Sequence, residues 1–307
     1  MDIKKSLLSK NGLATLALAR EFMKYPIGEK IPTVTDFCDS LMMSRGTVQN
    51  SLKMLTDNDV IKVESKGHMG SYLIHKNTRA LLEFANITTL VGAMPLPYSK
   101  KYEGLASGLI AAMENIYDIP VSMAYMRGAK NRVCMLLANR YDFAIISNYA
   151  AKSYIAKYGK ISIVKNFGPY TYLGEHVLFF HNKNAKVIED GMKVGIDFDS
   201  YDQKDLTEKL CEGKKVKYVA MEYSQLLQRV QSGELDATVW NRDAITTSME
   251  NINFQEFKLD NLDNTEAVMV VNNEREEISM LLKEIIDVET VLNIQKLVVE
   301  KKITPSY

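Results

Sequence analysis

The sequence predicts a multidomain α/β protein, with an N-terminal winged helix-turn-helix followed by a two-lobed α/β body. Three observations predict it. Residues 26–74 carry short amphipathic helices and a glycine-turned hairpin. From Leu90 onward, short apolar runs alternate with helical stretches. That alternation then recurs in the same order at a nearly fixed separation.

The head begins with a helix over Gly12 to Lys24, where Leu13, Leu16, Ala17, Arg20 and Phe22 form a mixed amphipathic pattern. A second, short helix follows Pro32, with Phe37, Cys38 and Leu41 on one face. Met42-Met43 makes a tight turn, and Ser44 is a favourable N-cap because its hydroxyl accepts from orphan backbone N–H groups. On the third helix Val48, Leu52 and Leu55 repeat at helical spacing and point inward. Arg45, Gly46, Thr47, Gln49, Asn50 and Lys53 are left outward, the small, polar and cationic set a recognition helix needs. Val60 to Glu64 alternates as a strand, Ser65 to Gly70 turns, and Ser71 to Ile74 returns, forming a wing. The candidate DNA-contacting residues are Thr33, Ser44, Arg45, Gly46, Thr47, Gln49, Asn50 and Lys53, with Lys66, Gly67, His68 and Ser71 on the wing.

This segment resembles the GntR family of bacterial regulators. The residues that carry the resemblance are Pro32, Ser44, Arg45, Thr47, Val48, Leu52, Leu55, Gly67 and Gly70. It implies that Arg45, Thr47 and the wing from Lys66 to Ser71 contact DNA. Two positions depart from the family pattern: Met42, where Gly is frequent in the turn, and Gln49, where Arg is common. The second departure leaves the base preference open.

Length and composition describe ordinary globular domains: 307 residues, 46% hydrophobic, 25% charged. Net charge is zero, but it is unevenly placed. Residues 1–80 hold 12 Lys/Arg against 8 Asp/Glu, and the rest hold 26 against 30. A basic head on an acidic body agrees with DNA binding confined to the head. The three cysteines, Cys38, Cys134 and Cys211, are widely spaced and read as small buried apolar residues, not as a metal site. The start, Met1-Asp2-Ile3-Lys4-Lys5, lacks the apolar core of a signal peptide, and no apolar run is long enough to span a bilayer. A cytoplasmic protein without membrane partners is the expectation.

The head is assigned to residues 1–76, a linker to 77–89 and the body to 90–307. In the body, Leu90 to Met94, Pro120 to Tyr125 and Asp142 to Ile146 read as strands, with helices over Tyr102 to Tyr117 and Asn131 to Asn139. The order recurs as a strand Lys193 to Asp197, a helix Lys204 to Cys211, a strand Val216 to Met221, a helix Tyr223 to Gln231 and a strand ending at Val239. Val194 stands 103 residues after Val91, Val216 stands 95 after Val121, and Asp236 stands 94 after Asp142. Two similar lobes follow: lobe one about 90–172 and 275–307, lobe two about 182–265. Tyr172 to Phe180 and Thr265 to Val271 read as strands crossing between them, with terminal helices over Glu274 to Lys302 on lobe one. This arrangement resembles the type 2 periplasmic-binding-protein fold. Gly233-Glu234-Leu235-Asp236-Ala237, preceded by Leu226 and Val230, is similar to a segment frequent in such solute-binding proteins. Head and body together resemble the YhfZ-type regulators.

Ligands in open α/β sheets sit beyond the carboxyl ends of strands, near helix N-termini. Those ends nominate Pro95, Tyr98, Arg127, Arg132, Ser147, Asn148, Glu175, Asp197, Glu222, Tyr223, Trp240 and Arg242. Arg127, Lys130, Arg132 and Arg242 are cations there, and a guanidinium holds a carboxylate or phosphate bidentately. A small anionic or zwitterionic effector is the expectation. The competing role for each arginine is a surface ion pair; for Trp240, core packing; for Glu175, an inter-lobe ion pair. Asp197 and Asp199 alone are a weak cation signal. His176 and His181 are placed on one strand, five positions apart and on opposite faces.

No nucleophile elbow, phosphate-binding loop or histidine pair at metal spacing occurs, so neither catalysis nor a cofactor or metal is read from the sequence. The expectation is a ligand-responsive transcription regulator, a homodimer on a palindromic double-stranded operator. Two alternatives stay open: an enzyme working in the inter-lobe cleft with an accessory DNA-binding head, and a sensor whose winged helix contacts protein.

Overall fold

The computed structural model describes residues 9–244, 253–259 and 261–307. The proposed start segment Met1 to Lys5 lies outside the described residues. The chain forms two compact units. The first contains residues up to Leu90 together with Ala112–Ser122 and Glu274–Ile286; the second contains the remainder.

In the first unit, α1 (Lys10–Met23) starts on Ser9, whose side chain accepts from Gly12 N. Its buried face is Ala14, Thr15, Leu18, Ala19, Phe22 and Met23. This corrects the face read from sequence, since Leu13, Leu16 and Ala17 are only partly covered. The inner stripe is offset by one position from the one read in sequence: it runs through Ala14, Leu18 and Phe22, with Thr15, Ala19 and Met23 beside them. After β1 (Lys30–Ile31), α2 (Val34–Leu41) opens on a capping box between Thr33 and Asp36. It stops at Met42, which takes the left-handed conformation at φ 53°. That is the turn position where the sequence departs from glycine. The third helix, α3 (Arg45–Asp57), buries Val48, Ser51 and Leu55. The wing consists of β2 (Ile61–Ser65) and β3 (Ser71–Lys76) in antiparallel register, joined by a short 3-10 turn at Gly67–Met69. A third strand, β1, pairs with β3, giving the order β1-β3-β2. At two residues β1 is too short to leave a sequence period. The segment read as a linker contains α4 (Thr78–Phe84), capped by Asn77.

The second unit carries most of the two lobes; Leu90 and Ala112–Ser122 of lobe one cluster with the first. The strands of lobe one are β4 (Leu90–Met94), β5 (Val121–Tyr125), β6 (Phe143–Ser147) and β7 (Ile161–Asn166). Between them run α5 (Lys100–Tyr117), α6 (Ala129–Leu137) and α7 (Asn148–Tyr158). Lobe two contains β8 (His176–Phe180), β9 (Lys193–Ile196), α8 (Tyr201–Leu210), β10 (Lys217–Ala220), α9 (Tyr223–Gln231), β11 (Ala237–Asn241) and β12 (Asn253–Glu256). The chain returns through β13 (Ala267–Asn272), then α10 (Glu276–Ile285) and α11 (Val288–Val299). The two sheets have matching orders, β5-β4-β6-β13-β7 and β10-β9-β11-β8-β12. In each, the fourth strand comes from the other half of the chain and runs antiparallel to both neighbours. The internal echo in the sequence is therefore a structural one.

Several local readings are corrected. The first crossing strand begins at His176, not at Tyr172. Residues 172–175 leave the sheet because their N–H groups are taken elsewhere: Tyr172 N donates to Thr265 O at 2.8 Å and Gly174 N to Asp243 Oδ2 at 2.5 Å. Glu175 thus lies ahead of the strand, and His181 just after it, with its Nδ1 2.9 Å from Val230 O. Cys211 is buried, but Cys134 is exposed, because it occupies the outer face of α6. Of the two terminal helices, α10 clusters with the first unit and α11 with the second. Lys76 Nζ, on a side chain 1% exposed, meets Glu284 of α10 at 2.5 Å and Tyr25 O at 2.9 Å. Against α11, Gly104 and Gly108 of α5 allow a close helix approach: a Cβ there would lie 2.8 and 2.5 Å from the carbonyls of Gln295 and Val291. Among the described residues no helix is long and apolar enough to cross a membrane.

Candidate functional site

Two surfaces carry chemistry. The first is the exposed face of α3 and the wing. Ser44 caps α3: its Oγ accepts from Thr47 N at 3.4 Å and shares a hydrogen bond with Thr47 Oγ1 at 2.8 Å. This fixes the first turn and leaves Arg45, Gly46, Gln49, Asn50 and Lys53 exposed. Among the described residues neither Arg45 nor Lys53 has an ion-pair partner within 4.0 Å. Thr33 is exposed on the capping box, where its backbone N–H first, and its hydroxyl second, hold the Asp36 carboxyl below the usual range. On the wing, Gly67 adopts φ 60°, His68 is exposed and Ser71 partly covered. Lys66 lies 3.7 Å from Glu64 and 4.8 Å from the ring centre of Tyr72. All twelve nominated DNA-contacting residues thus fall on α3 and its cap, the start of α2, or the wing.

The second surface is a cleft within the second unit, between the carboxyl ends of the two sheets. A cavity of about 60 Å³ opens into a mouth that brings the empty space to about 660 Å³. The enclosed part has room for a few water molecules or a ligand group of that size. Pro95, Tyr98, Arg127, Arg132, Ser147, Asp197 and Tyr223 line it, as the sequence nominated. Ser200, Tyr201 and Asn241 line it too, from the strand-end stretches 197–201 and 240–242 that the sequence marks, whereas Tyr102, Tyr172, His176 and Asp202 also line it and sequence reasoning missed them. Tyr102 and Tyr172 gave no signal because a tyrosine on an apolar face reads as packing. Asp202 could have been found, since it is an acidic residue in the first turn after the strand end at Asp197.

Asn148, Glu175, Glu222, Trp240 and Arg242 do not line the cleft. Asn148 donates to Glu266 at 2.8 Å. Arg242 pairs with Glu175 and, at 2.9 Å, with Glu256. Trp240 belongs to a buried cluster and stacks on Tyr223, ring centres 4.1 Å apart, so it backs the cleft wall from behind. Glu222 pairs with Arg127 across the lobes at 2.8 Å, and Lys130 pairs with Asp199 at 3.0 Å. Asp197 is consumed as a cap, accepting from Tyr223 N and Asp199 N at 2.9 Å each.

Arg132 stands apart. It is 2% exposed; Nη1 donates to Met126 O at 2.6 Å and Nη2 to Tyr172 OH at 3.1 Å, while Nε has no partner. Opposite, Ser147 Oγ donates to Asp202 Oδ1 at 2.8 Å. Burial pushes the Asp202 carboxyl up to about 7, against the Ser147 hydrogen bond and the Arg132 charge, which pull it down. His176 is buried beside Asn264 and held neutral, its value lowered to about 4 by burial. Among the described residues no cluster of three metal-ligating side chains occurs.

The comparisons with known proteins agree with this geometry. Residues 77–307 match the YhfZ C-terminal domain, and residues 26–73 match a helix-turn-helix domain. The chain belongs to the YhfZ family. It is 34% identical to YhfZ of Escherichia coli K12 over 309 residues, which spans 99% of this chain and 100% of that one. The crystal structure of YhfZ from Shigella flexneri shares 37% identity, with a TM-score of 0.61 over 75% of this chain and 97% of that one. The periplasmic domain of BvgS from Bordetella pertussis superposes with a TM-score of 0.51 at 14% identity, over 75% of this chain and 46% of that one, a likeness of fold alone. The YhfZ body is thus a two-lobed, periplasmic-binding-protein-like domain joined to a helix-turn-helix.

Proposed function

We propose that this YhfZ-family protein is a cytoplasmic, GntR-type transcription regulator that binds an operator as a homodimer and responds to a small anionic or zwitterionic effector in its cleft. The observation that carries the reading is the unpaired, exposed polar face at the N-terminus of α3, followed directly by a wing. Exposed cations without intramolecular partners attract phosphates, and the Gln49 and Asn50 side chains supply donors and acceptors for base edges. A single recognition helix reads few base pairs, so two-fold pairing on a palindrome follows. The effector acts by preferring one domain arrangement over another, and no turnover is part of the reading.

Fluorescence anisotropy on the protein's own upstream DNA, against scrambled DNA at two salt concentrations, tests it. Tighter binding to the native fragment that persists at the higher salt is expected. Equal, salt-sensitive binding to both fragments refutes specific recognition.

A further inference from the structure

Among the described residues, one buried cation lining the cleft lacks the carboxylate that its neighbours have. Arg127, Lys130 and Arg242 each end on an acidic side chain. Arg132 ends on a carbonyl and a phenol, and its Nε–H has no acceptor although the side chain is 2% exposed. An unpaired N–H on a buried guanidinium is costly, and in a native structure it marks a place for an acceptor. The same cavity wall carries the N-terminus of α6, a nine-residue helix whose cap is Gly128. Having no side chain, Gly128 cannot satisfy the helix's first N–H groups, so these add to a positive end. Nor can another residue stand there: a Cβ on Gly128 would lie 2.5 Å from Asp199 O. The third component is Asp202, whose Oδ1 accepts from Ser147 Oγ at 2.8 Å.

We propose that the cleft seats the carboxylate of a monoanionic ligand against Arg132 Nε and the α6 N-terminus, with the Asp202 carboxyl, in its protonated form, donating to the same carboxylate. This rests on the cleft being the effector site and names the effector's class. The remaining acids near the cavity are spent, Asp197 on its cap, Glu222 on Arg127, and Asp199, beside the start of α6, on Lys130 and Asn131, so no free carboxylate faces an ammonium. The groups that bear on Asp202 are Arg132 on α6, Ser147 on β6, Asp205 on its own helix and the phenols of Tyr102, Tyr154, Tyr172 and Tyr223. All four phenols are held above their ordinary value by burial and stay neutral. An arriving carboxylate adds a negative charge beside Asp202 and favours its neutral form. Binding above neutral pH therefore takes one proton from solvent onto Asp202, and no covalent bond changes. A dianion would leave one negative charge uncompensated.

The test follows the Arg132 Nε–H resonance in the full-length protein labelled with ¹⁵N, assigned by its loss in Arg132→Gln. Acetate is the probe. A saturable shift in the millimolar range is expected, weakening about tenfold from pH 6 to pH 8 as Asp202 loses its proton. Asp202→Asn keeps a donor and should bind acetate with that pH dependence gone. The proposal falls if about 100 mM acetate leaves the resonance in place at pH 6, a concentration that reaches even very weak sites. It also falls if phosphate at pH 8 or glycine binds more tightly than acetate, or if Asp202→Asn keeps the pH slope. An uncharged or amine effector that releases DNA without moving Nε would sink this proposal and leave the regulator standing. Acetate binding in a protein indifferent to its own DNA would do the reverse.

Discussion

The exposed cations of α3 and the cations nominated for the cleft are treated in opposite ways. On α3, Arg45 and Lys53 are exposed and unpaired. In the body, Arg127, Lys130 and Arg242 are all closed into ion pairs, and the cation left incomplete, Arg132, is buried. The difference reflects the two kinds of anion. A polyanion attracts many solvated charges at once and needs them free. A small anion in a cleft needs one desolvated donor set, and every other charge nearby must be neutralised so that it does not compete.

Removing a buried or paired charge therefore changes stability, and removing one from the exposed face of α3 changes DNA affinity alone. The largest effect is expected at Asp202. Its carboxyl titrates at about 7 in the fold against an ordinary 3.8, so the folded state holds the proton more tightly than the unfolded chain. Its contribution to stability is thus greatest below pH 4 and is lost as pH rises from about 4 to about 7. Asp202→Asn should remove that loss, gaining up to about 4 kcal/mol at pH 8 and little at pH 4. Denaturant melts at the two pH values check this, and equal gains at both would break the assignment. His176 opposes Asp202 over part of this range: being held neutral, it withdraws stability as pH falls from 6.5 to about 4.

Next comes Glu284→Ala, which strands the Lys76 ammonium in a buried site. A loss of about 3 kcal/mol is expected. Lys76→Met, which removes the charge and keeps the stem, should cost less. If both cost under 1 kcal/mol by urea unfolding, Lys76 is hydrated and the pair is ornamental. Arg127→Ala breaks a half-exposed pair with Glu222 and should cost at most about 1 kcal/mol. Arg45→Ala and Lys53→Ala should move stability by no more than about 0.5 kcal/mol, because nothing in the fold uses them. Each should flatten the slope of log affinity against log salt by about 0.9 if it meets a phosphate. An unchanged slope removes that residue from the interface.

Legibility followed the same division. The head's helices were readable because Phe37, Val48 and Leu55 repeat at helical spacing and Ser44 caps where its chemistry says it should. The lobes' parallel strands were readable as continuous apolar runs, as in Leu90 to Met94 and Phe143 to Ile146. The helix α7 and the strand β7 were not, because Ala150, Ala151 and Tyr154 make a weak stripe and Ile161 to Asn166 mixes polar with apolar. In the cleft, Arg132, Tyr98 and Tyr223 were found by their place after strand ends. Glu175, Arg242 and Trp240 had equivalent sequence positions but went to other partners. Nothing local distinguishes an arginine that will meet a glutamate from one that will not.

The sequence by itself determined the architecture: a capped helix pair and wing, then two α/β lobes repeated in order. Periodicity, caps and turn residues act over a few neighbours, and a linear reading reaches that far. Tertiary structure decided which charges are spent and which are left. Pairings such as Arg127 with Glu222, Lys76 with Glu284 and Ser147 with Asp202 join residues far apart in the chain, across strands exchanged between lobes or helices returned from the C-terminus. Burial then set the consequence, leaving Arg132 Nε without an acceptor and the Asp202 carboxyl titrating at about 7. Desolvation is a property of the assembled cavity, and no residue carries it alone.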